Sequence, residues 1–285
     1  MTRAGITRYR GDKHRNEMNR IDELFARLRR ANEKAFMPFV TAGDPDLTFT
    51  SEVIRELAAR GASLCEVGIP YSDPIADGPV IQASYTRALD NHVKLAQILE
   101  TLAGVAPQVE MPVVTMVSYA IAYRHGLAQY VEDTQRAGAL GAIVPDLPVD
   151  EAADLSKLCS AANFSLIQLV TPTTPRDRAL RIAESSTGFL YYVSVTGITG
   201  ERSELPASLI DNVGWLREQT DLPICIGFGI STPDHVRQLA PVADGLIVGS
   251  AIVRRIANAV DTPRQEVLHD VGAYVEQLVD ALRTA

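Results

Sequence analysis

Short apolar runs and amphipathic segments alternate along the whole chain. Eight runs of strand length are almost continuously apolar, at 35–42, 63–67, 112–117, 141–145, 165–170, 188–193, 223–228 and 244–249. Unbroken apolar runs are typical of a parallel sheet, because such a sheet is covered on both faces. The pattern therefore predicts eight buried parallel strands.

Helical patterns lie between these runs, and Asp46 and Asp150 are predicted N-caps of two of them. The predicted helices are 20–31, 47–60, 93–104, 151–162, 206–219, 233–240 and 264–283. Strands and helices that alternate without a linker predict one α/β domain, a (β/α)₈ TIM barrel with an extra N-terminal helix. A doubly wound open sheet is the alternative, since closure cannot be read from a sequence, but no G-x-G-x-x-G follows the first run.

Length and composition narrow the classes of protein. The 285 residues suit one barrel of about 250 residues, so we expect a flexible polar tail at 1–18 and a catalytic barrel at 19–285. A net charge of −8 gives no support for binding nucleic acid or an anionic membrane, although an RNA-binding arm is a lesser alternative for the tail. No apolar run is long enough to span a bilayer, and the start of the sequence lacks the apolar core of a secretory signal. The three cysteines have no C-x-x-C spacing, which indicates reduced thiols. These features predict a cytoplasmic protein.

The stretch GIPYSDPIADGP (68–79) follows a strand that contains a carboxylate, Glu66. Three prolines exclude a regular helix or strand, so it is predicted to be a loop. In a barrel, polar residues at strand ends and in the loops that follow are the candidates for chemistry, and Glu66, Asp73, Asp77, Tyr191 and Thr199 meet this criterion.

A carboxylate inside an apolar strand is costly to bury unless it is paired or used, and burial raises its pKa toward the range of an acid–base catalyst. The structural alternative for Glu66 is a carboxylate that accepts backbone N–H groups. Asp73 and Asp77 could divide acid and base roles with it, but each could equally be a turn residue, and spacing alone does not choose between them.

Glycines that follow the last two apolar runs predict a phosphate site. Gly229 follows the seventh run, and Gly249 and Ser250 open a short helix after the eighth. Barrels often bind phosphate at these loops and at the N-terminus of a short extra helix, although glycines also serve simply to make tight turns. The five histidines have no metal-ligand spacing, G-x-S-x-G is absent and lysines are scarce at strand ends. We therefore expect an acid–base site without a metal or cofactor.

Several motifs carry a resemblance to a known family: PFVTAGDPD (38–46), CEVGIPYSDPIADGPVIQASYTRAL (65–89), VPDLP (144–148), YYVSVTGITG (191–200), GFGIS (227–231) and GLIVGSAIV (245–253). Over residues 20–283 the chain closely resembles the tryptophan synthase alpha subunit family. The resemblance implies a lyase of L-tryptophan biosynthesis that cleaves indole-3-glycerol phosphate to indole and glyceraldehyde 3-phosphate. It also implies an alpha-beta-beta-alpha complex in which indole passes to a beta subunit, with pyridoxal phosphate only in that partner.

The resemblance assigns roles to residues of this sequence. It implies that Glu66 and Asp77 are catalytic, and that Pro70 and Asp73 lie in a mobile loop facing the beta subunit. It further implies that Tyr191 contacts the substrate and that Thr199 lies in a second loop, which closes over the site. The phosphate would be bound by Gly200, Gly229, Gly249 and Ser250, and the indole pocket would be lined by Phe228 and Met116.

The sequence departs from the family after the third strand, where an aromatic-x-Asn pattern is common and Ser118 and Ala120 stand instead. This loop lies near the partner in the family, so the departure concerns partner fit and coupling. Three alternatives remain open at this point: a stand-alone indole-glycerol-phosphate lyase, another phosphate-binding barrel such as an amino-sugar isomerase of histidine synthesis, and a non-catalytic regulatory partner.

Overall fold

A computed structural model describes residues 18–74, 77–194, 207–227 and 229–285. Its strands form one parallel sheet in the order β5-β4-β3-β2-β1-β9-β8-β7-β6. The strands are β1 Ala35–Thr41, β2 Cys65–Gly68, β3 Val113–Met116, β4 Gly141–Ile143, β5 Ser165–Ile167, β6 Leu169–Val170, β7 Leu190–Val193, β8 Ile224–Gly227 and β9 Gly245–Val248. All eight predicted runs therefore contain strand, and the predicted TIM barrel is confirmed.

The ninth strand arises because the run 165–170 is divided at Gln168. Its first half pairs with β4 and its second half with β7. The carbonyl of Gln168 still accepts a hydrogen bond from the Tyr191 amide at 3.1 Å. The two ends of the sheet are thus halves of one continuous segment, which brings the barrel to near closure.

Twelve helices surround the sheet in the described part of the chain. They are α1 Arg20–Ala31, α2 Leu47–Ala59, α3 Pro79–Asp90, α4 Leu95–Val105, α5 Tyr119–His125, α6 Leu127–Arg136, α7 Ala153–Ala161, α8 Arg176–Ser185, α9 Ala207–Gln219, α10 Pro233–Leu239, α11 Ser250–Ile256 and α12 Arg264–Arg283. The sequence patterns predicted eight of these, including the short helix after the last strand, and missed α3, α5, α6 and α8.

Helix α1 closes the N-terminal end of the barrel. Its residues Ile21, Leu24, Phe25 and Leu28 are buried against the interior cluster of strand residues. The Phe25 ring lies 5.8 Å from the ring of Phe189, just before β7. With one end filled by apolar side chains, the opposite end, formed by the C-terminal ends of the strands, is left for the functional site.

The two predicted N-caps have different outcomes. Asp46 accepts a hydrogen bond from the Phe49 amide and caps α2, as predicted. The prediction for Asp150 was wrong, since it lies inside a 3₁₀ turn, Val149–Glu151. Helix α7 begins only at Ala153, so Asp150 lies too far before its first turn to cap it. The Asp150 carboxylate instead forms ion pairs with Arg178 and Arg181 of α8.

The cysteines Cys65, Cys159 and Cys225 are free and buried, consistent with the reduced thiols that the sequence indicates. None of the helices in the described ranges is long and apolar enough to cross a membrane.

Candidate active site

Glu66 lies in the middle of β2 and faces the barrel interior. Its Cα pairs with Phe39 of β1 on one side and with Val114 of β3 on the other. Leu64, two residues earlier and on the same face, belongs to the interior apolar cluster above α1. Glu66 is therefore one layer nearer the open end, and it is only 1% exposed.

The carboxyl of Glu66 is not held in place by the described part of the chain. Neither of its oxygens accepts a hydrogen bond from any residue that the structure describes. Burial, and secondly the negative charge of Asp77, raise the pKa of Glu66 to about 8. The geometry gives no support to a structural carboxylate held by backbone N–H groups and favours a neutral carboxyl at pH 7.

The loop after β2 brings Asp77 over the open end of the barrel. Gly68 still belongs to β2 and Pro79 occupies the first turn of α3, so the irregular segment is shorter than predicted at both ends. Proline suits that position because its missing N–H has no helical acceptor there. The side-chain amide of Gln82 on α3 donates to the Asp77 carbonyl at 2.7 Å, which holds the end of the loop.

The two aspartates of the loop differ in environment. Asp77 is partly buried, and burial together with the charge of Asp146 raises its pKa to about 6. Asp73 is exposed and accepts a hydrogen bond from the Ser72 hydroxyl at 2.6 Å. At pH 7 Asp77 is therefore mostly ionised beside a neutral Glu66, the division of states that acid–base pairs use.

Asp146, which the sequence analysis did not single out, is a third carboxylate of the same cleft. It follows β4 and accepts hydrogen bonds from the Ser118 hydroxyl at 2.7 Å and the Tyr119 amide at 2.8 Å. Ser118 also caps α5 by accepting from the Ala120 amide. Ser118, one of the positions that depart from the family pattern, thus links the start of α5 to Asp146 by hydrogen bonds.

Two phenols flank the carboxylates. Tyr191 of β7 lies across Gly227 of the next strand, where an added Cβ would be 2.5 Å from the Tyr191 hydroxyl. Tyr85 of α3 reaches the same end of the barrel and was also missed, because a criterion based on strand ends does not select residues on helices. Burial first, and then the charges of Glu66 and Asp77, raise the pKa of both phenols well above its usual value, so both are neutral.

The predicted phosphate loops lie at the same end as Glu66. Gly229 after β8 has φ +76°, a left-handed conformation that favours glycine. Gly249 precedes α11, and a Cβ added there would lie at an ordinary 3.6 Å from Phe39. Ser250, the first residue of α11, is exposed. Thr199, Gly200 and Phe228 lie outside the described residues.

An open cleft joins several of these groups. It is lined by Ile69, Tyr71, Asp73, Pro74, Asp77, Tyr85, Met116, Val117, Ser118, Pro145 and Asp146. Met116 lies at the end of β3 and packs against the cluster that contains Phe39 and Tyr85, whereas Pro70 is buried at the start of the loop. Within the described ranges, no cluster of three or more metal-ligating side chains occurs. The cleft therefore combines an apolar wall with the carboxylate of Asp77, while Glu66 lies buried in β2 and is not part of the cleft lining.

Comparison with known proteins identifies the family. The sequence model of the family described as "Tryptophan synthase alpha chain" matches residues 25–283. A tryptophan synthase alpha chain from Rhodopirellula baltica is 60% identical over 266 residues, which cover 92% of this chain and 96% of that protein.

Solved structures give the same result. The crystal structure of tryptophan synthase subunit alpha from Legionella pneumophila superposes with a TM-score of 0.87 at 32% identity, covering 94% of this chain and 100% of that one. A chain of tryptophan synthase from M. tuberculosis gives a TM-score of 0.83 at 28% identity, covering 93% and 99%. The chain therefore belongs to the tryptophan synthase alpha chain family.

Proposed function

We propose that this protein cleaves indole-3-glycerol phosphate to indole and glyceraldehyde 3-phosphate, with Glu66 and Asp77 as its catalytic residues. The observation that carries the proposal is a fully buried carboxyl, without a hydrogen-bond partner among the described residues, beside a second, partly buried carboxylate at the open end of the barrel. Such an arrangement is unfavourable for stability and is typical of a catalytic acid–base pair.

Glu66 acts as the proton carrier. In its neutral form it donates a proton to C3 of the indole ring, which leaves positive charge shared onto the ring nitrogen. The resulting carboxylate then takes the proton of the adjacent glycerol hydroxyl. As that carbon becomes the aldehyde, the electron pair of the carbon–carbon bond returns to the ring. Glu66 regains its proton, so the cycle is balanced without a metal or cofactor.

Asp77 stabilises the charge that develops during this step. An ionised carboxylate hydrogen-bonded to the ring N–H is most favourable when the ring is cationic, so it lowers the barrier more than it strengthens substrate binding. Its pKa of about 6 keeps it ionised at neutral pH.

The remaining assignments hold the substrate in place. Gly200, Gly229, Gly249 and Ser250 bind the phosphate, and Thr199 closes over the site. The apolar side chains of Met116 and Phe228 line the indole pocket, and Tyr191 contacts the substrate near Glu66. A fixed phosphate aligns the reacting atoms, which raises the rate without further chemical groups.

We also propose that the protein works in the cytoplasm as the alpha subunit of an alpha-beta-beta-alpha complex, and that pyridoxal phosphate belongs to the beta partner only. The exposed Asp73 contacts the partner, while the buried Pro70 fixes the path of the same loop. Tyr123, which is 66% exposed, lies on α5, the helix that Ser118 caps beside the cleft.

Indole release with and without a purified beta subunit tests this function. Closure of the loops by the partner should raise the rate about tenfold or more, because activity scales with the closed fraction. Asp73→Asn should reduce this stimulation but leave the basal rate nearly unchanged. A rate that is independent of the beta subunit would favour a stand-alone lyase, and no indole release in either assay would contradict the proposed function.

A further inference from the structure

Of the four tyrosines in the buried core, Tyr85 is the one whose hydroxyl makes no hydrogen bond to a described residue. Tyr130 bonds Thr115, Tyr192 bonds Asn212 and Tyr274 bonds the Ser231 carbonyl. Tyr85 is equally buried, at 4% exposed, but its hydroxyl makes no hydrogen bond to a described residue. Buried phenols normally find a partner, so this exception needs a reason.

The position of the Tyr85 hydroxyl gives that reason. Gly68 follows Glu66 by two residues on β2, so both positions face the barrel interior. A Cβ at Gly68 would lie 2.9 Å from the Tyr85 hydroxyl and 2.5 Å from the ring of Phe39. The absence of a side chain at Gly68 therefore lets the phenol of α3 enter the barrel directly above Glu66.

The hydroxyl also reaches the cleft. Tyr85 lines it together with Asp77 and Met116. Phe39, Ile81 and Val253 pack with Tyr85 in one cluster, which fixes the direction of the ring. A neutral donor is thus held close to both carboxyl groups, and it makes no hydrogen bond to a described residue.

The substrate of the proposed reaction, on which this inference rests, has one polar group still without a partner. Asp77 takes the ring N–H, Glu66 and the neighbouring Tyr191 face the hydroxyl next to the ring, and the glycine loops take the phosphate. The second hydroxyl of the glycerol chain remains. We propose that the Tyr85 hydroxyl hydrogen-bonds this second hydroxyl and so orients the glycerol chain above Glu66.

The variant Tyr85→Phe tests the contact, because it keeps the ring in its cluster and removes only the hydroxyl. Tyr192→Phe is the matched control, since its hydroxyl bonds Asn212 and its ring lies in the outer core. We expect Tyr85→Phe to lower kcat/KM for indole-3-glycerol phosphate about tenfold, the size of one hydrogen bond. The control should stay within about twofold of wild type, the scatter that a few tenths of a kcal/mol produces.

A second ligand separates a direct contact from a structural effect. Indole-3-propyl phosphate lacks both glycerol hydroxyls, so its inhibition constant should be the same for wild type and Tyr85→Phe. An inhibition constant that rises by the same factor as kcat/KM falls would show that the ring has moved and would overturn the proposal, as would an unchanged kcat/KM.

The wild-type enzyme alone gives an independent test if Tyr85→Phe does not fold. A substrate lacking only the second glycerol hydroxyl should be cleaved with about tenfold lower kcat/KM, and equal rates would overturn the proposal. An inactive wild type would instead contradict the proposed function, so the two failures are distinguishable.

Discussion

Asp77, on the loop after β2, lies close enough to Glu66, inside β2, for its negative charge to raise the pKa of Glu66 beyond the effect of burial alone. The strand holds the proton donor at a fixed point, while the loop brings the charge-stabilising carboxylate to it. Asp146 acts on Asp77 in the same direction, and these two carboxylates line the same cleft.

The pH dependence of kcat/KM should therefore be bell-shaped. Activity needs Asp77 ionised and Glu66 protonated, so it should fall below pH 6 as Asp77 gains a proton and above pH 8 as Glu66 loses one. Because the groups interact, the two limbs report apparent pKa values of the pair. A profile that stays flat from pH 5 to 9 would contradict this assignment.

Asp146→Asn should move the acidic limb. Removing this negative charge lowers the pKa of Asp77, so the limb should shift down by roughly one pH unit. The new amide oxygen can still accept from the Tyr119 amide, and the Ser118 hydroxyl can turn to accept from the new NH₂. Ser118→Ala is the control, since it removes the hydrogen bond but keeps the charge and should leave the limb in place. An unmoved limb in Asp146→Asn would show that Asp146 does not act on Asp77.

Glu66→Gln should stabilise the protein at high pH. The pKa of Glu66 rises from 4.5 to about 8 on folding, so between these values the folded chain holds a proton that the unfolded chain has released. Stability from this group therefore falls as pH rises through the window, by up to about 1.4 kcal/mol per pH unit. Glutamine does not titrate, so the Tm difference between variant and wild type should grow from pH 5 to pH 8.

Glu132, which forms a surface ion pair with Arg136, provides the control for this measurement. Glu132→Gln removes a carboxylate that is 65% exposed. Its Tm difference from wild type should show no comparable growth with pH. A constant difference for Glu66→Gln as well would mean that Glu66 is already ionised in the folded protein at pH 5.

The sequence predicts the barrel well because nearly every strand is apolar on both faces, and such a continuous apolar run can be recognised in one sequence alone. Glu66 is visible for the same reason, as a charge that interrupts an apolar run. Asp150 was misassigned because the position of a helix start within a few residues depends on tertiary contacts, here its ion pairs with α8. The spacing along the sequence could not show which of Asp73 and Asp77 is catalytic. The two differ in burial, since Asp77 is partly buried and Asp73 is exposed.

Tyr85 and Asp146 were missed for different physical reasons. Asp146 follows β4 directly, so the strand-end criterion contained enough information to select it. Tyr85 lies on α3, and its path to the site depends on the missing side chain at Gly68, a relation that only the packed structure reveals.

Gly249→Ala should weaken binding of the phosphorylated substrate without unfolding the protein. The added Cβ would meet Phe39 at an ordinary 3.6 Å, but it would occupy the space through which the phosphate approaches the backbone. KM should rise about tenfold with a smaller change in kcat, as expected for lost ground-state binding. Gly104→Ala, where nothing lies within 4 Å, is the control for an added methyl group. An unchanged KM in a folded Gly249→Ala would remove this loop from the phosphate site.

The kcat of Glu66→Gln for indole release tests the central claim most directly. Glutamine keeps the shape of the side chain but cannot carry a proton, so kcat should fall by about 10²–10⁴-fold, the usual loss of a general acid–base group. Asp77→Asn should also lower kcat, while both variants keep their affinity for the phosphate end of the substrate. If Glu66→Gln retains more than about a tenth of the wild-type kcat, outside that range, the buried carboxyl is not the proton carrier and the proposed mechanism is wrong.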